Sequence, residues 1–241
     1  MTKFFLVLCS GCPESRIDAA RIENYLKKNS WKKTVSLNHA DLILYRSCGL
    51  TEKTAQDSLL IIKKIKSEKK EDAKFLVWGC LPKIDPDFLR SEYIGDTFDE
   101  NDTRVLDDII KPTRPLEGVA GNHVIPSFEL KRKTPVALLG KTLDFIQGRL
   151  SITPNEKIFT IKVSTGCLGN CSFCAVRISR GLVKSKSIDK ILTEFKDGLM
   201  KGYRYFSLLG TDLGSKENVR CLLIKPHDTL NKIFNSVFSI H

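Results

Sequence analysis

Phe159-Thr-Ile-Lys-Val-Ser-Thr-Gly-Cys-Leu-Gly-Asn-Cys-Ser-Phe-Cys174 decides how the second half of this chain folds. Phe159–Ser164 reads as a strand that runs directly into a glycine- and cysteine-rich loop at Thr165-Gly166-Cys167. Ile188–Met200 then reads as an amphipathic helix and Tyr205–Leu209 as a second strand. Strand, crossover helix and strand make a βαβ unit, for which a parallel, right-handed arrangement is expected.

The same alternation fills the first 112 residues. Phe4–Leu8, Val35–Leu37, Asp41–Tyr45 and Phe75–Trp78 read as strands. Between them, Asp18–Lys28 reads as a helix with Ile17, Ala20, Ile22, Tyr25 and Leu26 available for its apolar face. A longer helix starts at Thr51, a plausible N-cap, with Leu59, Leu60, Ile62 and Ile65 inside, and Thr103–Ile110 reads as a closing helix. The fold class expected is therefore α/β, with an N-terminal parallel three-layer domain over residues 1–112. Lys111-Pro112-Thr-Arg-Pro115 ends that domain, and residues 113–155 read as a linker. The second domain, residues 156–241, restarts the βαβ pattern; after about Lys216 only Thr229–Val237 looks helical.

The formal charge of +11 is unevenly spread. Residues 1–112 hold 19 Lys and Arg against 18 Asp and Glu, whereas residues 113–241 hold 20 against 10. The excess therefore lies in the half that carries the cysteine loop, which suits RNA or another polyanionic partner; a generally Lys-rich protein is the alternative. No apolar stretch approaches the roughly 20 residues of a membrane span. The apolar run Phe4–Leu8 leads to Ser10, Gly11 and Pro13, which suits a strand exit better than a signal peptide. A cytoplasmic location is expected, and in such a reducing compartment eight cysteines point to metal or cluster ligation over disulfides.

Cys167, Cys171 and Cys174 stand at i, i+4 and i+7. Three thiolates on a short loop can hold three irons of a cubane cluster, leaving the fourth iron open to a small molecule. Gly166 and Gly169 let the backbone wrap closely around inorganic sulfide, and Phe173 is placed to shield one side. Zinc is the alternative, but zinc loops favour C-x₂-C pairs and need a fourth ligand. His227, the only downstream His before the C-terminus, is far off in a different context.

With an aromatic residue before its last Cys, this C-x₃-C-x₂-C resembles the radical S-adenosylmethionine superfamily. Cys171-Ser-Phe-Cys-Ala-Val-Arg-Ile-Ser-Arg-Gly-Leu-Val-Lys-Ser-Lys186 narrows the likeness to the methylthiotransferases. Gly11-Cys-Pro-Glu-Ser-Arg-Ile-Asp18, Ala40-Asp-Leu-Ile-Leu-Tyr-Arg-Ser-Cys48 and Trp78-Gly-Cys-Leu-Pro82 resemble the three cysteine segments that open that family. The resemblance implies a partial (βα) barrel for the second domain, two 4Fe–4S clusters and S-adenosylmethionine. It implies cluster ligands Cys12, Cys48 and Cys80 as well as Cys167, Cys171 and Cys174. Each of the first three follows a strand, and in a parallel sheet such positions share one edge. By the same likeness Gly210, Thr211 and Asp212 border the S-adenosylmethionine site. Arg177, Arg180, Lys184 and Lys186 lie where they could meet the cofactor carboxylate or substrate phosphates.

The resemblance covers residues 1 to about 215, so a chain truncated after roughly two barrel units is expected, with weak or absent activity alone. Ser15 stands where the family has Asn, Ala19-Ala20 where it has Ser-Glu, and Arg46-Ser47 where it has Asn-Thr. Cys9 and Cys221 lie outside both triads; Cys9 makes a C-x-x-C with Cys12, for which ordinary burial is expected. The function implied first is methylthiolation of a tRNA adenosine near the anticodon, with an electron donor such as a flavodoxin or ferredoxin. The alternatives are methylthiolation of a ribosomal-protein aspartate, towards which Gly11-Cys12-Pro13 leans while Gly166-Cys-Leu-Gly-Asn170 leans to the tRNA enzymes, or a non-catalytic iron–sulfur or RNA-binding remnant.

Overall fold

A computed structural model describes residues 2–9, 12–98, 104–111, 158–172 and 174–212. They belong to two compact units, taken here in turn.

The first unit is built on a five-stranded parallel sheet. Along the chain it comprises β1 (Phe4–Cys9), α1 (Pro13–Lys28), β2 (Lys32–Lys33), β3 (Leu42–Ser47), α2 (Glu52–Glu68) and β4 (Lys74–Gly79). The short helices α3 (Leu81–Ile84) and α4 (Pro86–Arg90), then β5 (Thr97–Phe98) and α5 (Arg104–Ile110), complete it. Strand order is β2-β1-β3-β4-β5. Side chains alternate across the central strands. Leu6, Leu8, Ile43, Tyr45 and Val77 pack with α2 residues Leu59, Ile62 and Ile65. Phe5, Val7, Leu42, Leu44, Leu76 and Trp78 pack with α1 residues Ile22, Tyr25 and Leu26 and with Leu106 of α5. Both faces are thus covered, giving the expected three layers and explaining why these strands are continuous apolar runs.

Several local expectations change. Helix α1 begins at Pro13, because the Cys12 side chain caps it by accepting from the Ser15 N–H at 3.3 Å. Ala19, not Ala20, is the alanine it buries. Val35–Leu37 is not a strand: edge pairing is confined to Lys32 and Lys33 against Phe4 and Phe5, and Leu37–His39 is a 3₁₀ turn. Thr51 caps α2 through a capping box with Thr54. Leu60 is 62 % exposed, and Ser58 takes an inward position on that helix instead.

The second unit pairs β6 (Ile158–Lys162) in parallel with β9 (Tyr205–Leu209), from Ile158↔Tyr205 to Lys162↔Leu209. Between them run β7 (Ser164–Thr165), α6 (Ala175–Arg180), β8 (Lys184–Ser185) and α7 (Ile188–Met200). Phe159, Ile161, Val163 and Ile191 form the core, with Phe195, Tyr203, Phe206 and Leu208 against it. The expected strand Phe159–Ser164 divides at Val163: Ser164 and Thr165 turn away to pair antiparallel with Ser185 and Lys184. This small ladder closes the cysteine loop and α6 at their base. The linker and the Thr229–Val237 helix expected from the sequence lie outside the described residues, as do Phe173, Cys221 and His227.

Candidate metal-cluster sites

In the first unit, strand register brings the cysteine-bearing segments to one edge. Cys9 pairs with Arg46, Arg46 with Trp78, and Ser47 with Gly79. Cys48 and Cys80 are therefore the first residues beyond two adjacent strands, and Cys12 lies three residues beyond the end of the third. The Cys80 N–H donates to the Ser47 carbonyl at 3.1 Å. Gly79 allows this approach: its φ is +102°, and a Cβ there would stand 2.6 Å from the Ser47 oxygen and 2.8 Å from Arg46 Cγ. Cys48 is fixed by Ser58, whose hydroxyl accepts from the Cys48 N–H at 3.0 Å and donates to its carbonyl at 2.8 Å. Cys12 is fixed by Ser15, whose hydroxyl donates to the Cys12 carbonyl at 2.7 Å. Cys80 is buried, while Cys12 and Cys48 are half-buried.

A charged group lies within this wall. Arg46 is 1 % exposed and pairs with Asp18 at 3.2 Å. Its other terminal nitrogen lies 4.0 Å from Cys12 Sγ, and its guanidinium sits over the Trp78 ring at 5.3 Å. Burial pushes the neighbouring Tyr45 phenol well above its ordinary pKa, so it stays neutral. Cys9 is half-buried against the core on the α1 face.

In the second unit, the loop leaves β7 through Gly166, at φ +81°, where a Cβ would stand 2.3 Å from the Leu182 carbonyl oxygen. The Cys167 N–H donates to the Gly181 carbonyl at 3.2 Å. Gly169 leaves a space between two sulfurs: a Cβ there would stand 3.3 Å from Cys167 Sγ and 3.8 Å from Cys171 Sγ. Cys174 is the N-cap residue of α6, and its N–H donates to the Cys171 carbonyl at 3.2 Å. Cys171 is exposed, and Cys167 and Cys174 are half-buried.

The residues following β9 reach this loop. Asp212 accepts from the Leu168 N–H at 3.4 Å, and its carboxylate lies 3.5 Å from Cys167 Sγ. Gly210 and Thr211 are half-buried on the same segment. Two basic residues have partners other than those anticipated. Arg177 turns back onto the loop, donating to the Gly169 carbonyl at 2.6 Å and to Asn170 Oδ1 at 3.0 Å. Lys186 forms a largely buried pair with Glu194 at 2.6 Å. Arg180 is only 8 % exposed at the end of α6, and Lys184 is exposed on β8.

Among the described residues, no three His, Cys, Asp or Glu side chains gather tightly enough to enclose a single metal ion. A cubane asks each thiolate for a different iron, and the donor chemistry, the cradle at Gly169 and the shared strand edge fit such a group. Sequence reasoning located the cysteines but missed Arg46 and Ser58 as supports; the signal for Arg46 was a charged residue within an otherwise apolar strand.

Residues 4–98 match the model of the uncharacterized protein family UPF0004. The chain is 29 % identical over 220 residues to the ribosomal protein uS12 methylthiotransferase RimO of Treponema denticola, covering 85 % of this chain and 42 % of that protein. It is 26 % identical over 248 residues to the RimO of Thermosipho africanus, covering 98 % of this chain and 52 % of that one. The chain thus spans about half the length of these relatives. Among solved structures, the radical S-adenosylmethionine methyltransferase TsrM from Kitasatospora setae is similar in fold, with a TM-score of 0.57 at 11 % identity. That match covers 96 % of this chain and 53 % of TsrM. Residues 4–98 are thus similar to the UPF0004 family, and most of the chain is similar to part of the bacterial methylthiotransferases.

Proposed function

We propose that this chain carries the cluster-binding part of a radical S-adenosylmethionine methylthiotransferase whose substrate is a ribosomal protein. The observation that carries the reading is the register of β1, β3 and β4, which brings the Cys12, Cys48 and Cys80 segments to one sheet edge. The chain's second thiolate loop, Cys167–Cys174, supplies the other half of the chemistry. When bound, the two clusters would supply an electron that cleaves S-adenosylmethionine to a hydrogen-abstracting radical, and a sulfur to be transferred. The chain's own part is to orient the thiolates. Gly79, Ser58 and Ser15 fix the first three; Gly166, Arg177 and Asp212 shape the second loop. Gly210, Thr211 and Asp212 are proposed to border S-adenosylmethionine, with Arg180 as a supporting cation.

Both relatives described above are named for action on ribosomal protein uS12, which favours that substrate over the tRNA adenosine expected first. The Gly11-Cys12-Pro13 opening leans the same way, and the basic second half suits a protein target set among ribosomal phosphates. A flavodoxin or ferredoxin is the proposed electron donor and the cytoplasm the proposed location; no described helix is long and apolar enough to cross a membrane.

The test is anaerobic reconstitution followed by iron and sulfide analysis. About eight irons per chain are expected for two cubanes, falling to about four with either Cys48→Ala or Cys167→Ala. Formation of 5′-deoxyadenosine, and a methylthio mass gain on a uS12 peptide but not on tRNA nucleosides, would support the assignment. Zinc in place of iron would sink it.

A further inference from the structure

We infer that Arg46 is a positioning residue that tunes the redox state of a cluster held by Cys12, Cys48 and Cys80; this rests on the preceding reading of that triad. Arg46 occupies β3, the middle strand, and its side chain is 1 % exposed. Gly79 leaves the space its stem occupies, since a Cβ there would lie 2.8 Å from Arg46 Cγ. Trp78 supports the guanidinium from one side, and Asp18 takes one terminal nitrogen at 3.2 Å. The other terminal nitrogen lies 4.0 Å from Cys12 Sγ, and Nε has no hydrogen-bond partner among the described residues. A permanent cation is therefore held in the wall, with donor capacity to spare, against the sulfur of one candidate ligand.

Reduction by a low-potential one-electron donor adds one negative charge to the cluster and makes or breaks no bond. A fixed positive charge a few ångströms from a ligand sulfur, shielded from water, favours that added charge. Asp18 opposes it. The two residues should thus push the reduced-to-oxidised ratio in opposite directions, which a purely structural role would not do.

The experiment uses the full chain with Cys167→Ser, Cys171→Ser and Cys174→Ser, so that only the N-terminal triad can hold a cluster. Potentiometric titration is followed by electron paramagnetic resonance. Arg46→Gln should lower the reduced-to-oxidised ratio at fixed potential by about tenfold, equivalent to about 59 mV for one electron. Asp18→Asn, which is nearly isosteric, should raise it, and its sign decides the matter if the Arg46 variant does not fold. Ratios in either cluster-loaded variant that stay within about twofold of the parent, or that move the same way in both, would overturn the inference. A parent that takes up no iron would instead overturn the reading of the triad.

Discussion

Gly166 and Gly202 share a φ of +81°, yet their surroundings are opposite. A Cβ on Gly166 would stand 2.3 Å from the Leu182 carbonyl oxygen and 2.7 Å from that of Gly181, whereas one on Gly202 would meet nothing within 4 Å. Alanine at either position incurs the same left-handed backbone penalty, about 1–2 kcal/mol. A stiffer unfolded chain offsets about 0.4–1 kcal/mol of it. Gly202→Ala should therefore cost about 1 kcal/mol. Gly166→Ala adds a collision with backbone that no rotamer can relieve, and overpacking of that kind costs about 1–3 kcal/mol. Moving residues 181 and 182 away also weakens the 3.2 Å bond from the Cys167 N–H to the Gly181 carbonyl, for about 1 kcal/mol more. The two variants should differ by about 2–4 kcal/mol. Hydrogen exchange at the Val163 and Lys186 amides, each bonded at 2.8 Å across the base of the loop, reads this directly. Those amides should open roughly 30-fold to several-hundred-fold more often in Gly166→Ala than in Gly202→Ala. Equal exchange in the two variants would refute the claim that close backbone approach, and not merely φ, demands glycine at 166.

Other outcomes follow from the first unit. Ser58→Ala removes the partner of the Cys48 N–H and should cost about 1–3 kcal/mol in urea unfolding, because that amide is left without its bond near the core. On α2, Leu59→Ala should cost about 2–5 kcal/mol, while Leu60→Ala stays within about 0.5 kcal/mol, the contrast following from 8 % against 62 % exposure. Asp41 accepts from Lys70 at 2.6 Å and from the Phe4 N–H at 2.7 Å, and these bonds, the lysine's first, hold its carboxyl below the ordinary 3.8. A depressed folded pKa means stability present above that ordinary value and lost as pH falls through the folded one. Asp41→Asn should therefore be destabilising at neutral pH, with the difference closing below 3.8 in chemical unfolding followed against pH.

The central strands were legible because both of their faces are buried: runs such as Leu42-Ile43-Leu44-Tyr45 have no solvent side on which a polar residue could interrupt them. Continuity of that kind hides other things. In Leu59-Leu60-Ile61-Ile62 every residue is apolar, so composition alone does not reveal that Leu60 faces out; the inward face is set by Ala55, Ser58, Leu59, Ile62 and Ile65. The edge strands β2 and β5 are two residues each, too short for any period to register. Arg177 and Lys186 looked like contacts for phosphate because both are basic and close to the cysteines. Their actual partners, the Gly169 carbonyl and Glu194, lie eight residues away, a separation set by how the loop and the β8–α7 turn fold. Cysteine spacing is visible in the sequence as it stands, whereas a cation's partner does not advertise itself there.

Two of the departures from the family pattern bear on one sulfur. Ser15 and Arg46 replace residues of the resembled motif, and both act on Cys12: Ser15 through its N–H to Sγ and its hydroxyl to the carbonyl, Arg46 through its terminal nitrogen facing Sγ. Cys48 and Cys80 are held instead by Ser58 and by the Ser47 carbonyl, contacts that do not involve the substituted side chains. Had the replacements dissolved the site, Cys12 would have lost its place at the head of α1. It remains the N-cap, with Ser15 buried against it and Arg46 paired with Asp18. The altered residues therefore leave the strand-edge framework intact and change the electrostatic surroundings of a single candidate ligand, so their effect should be read in the properties of a bound cluster before it is read in folding.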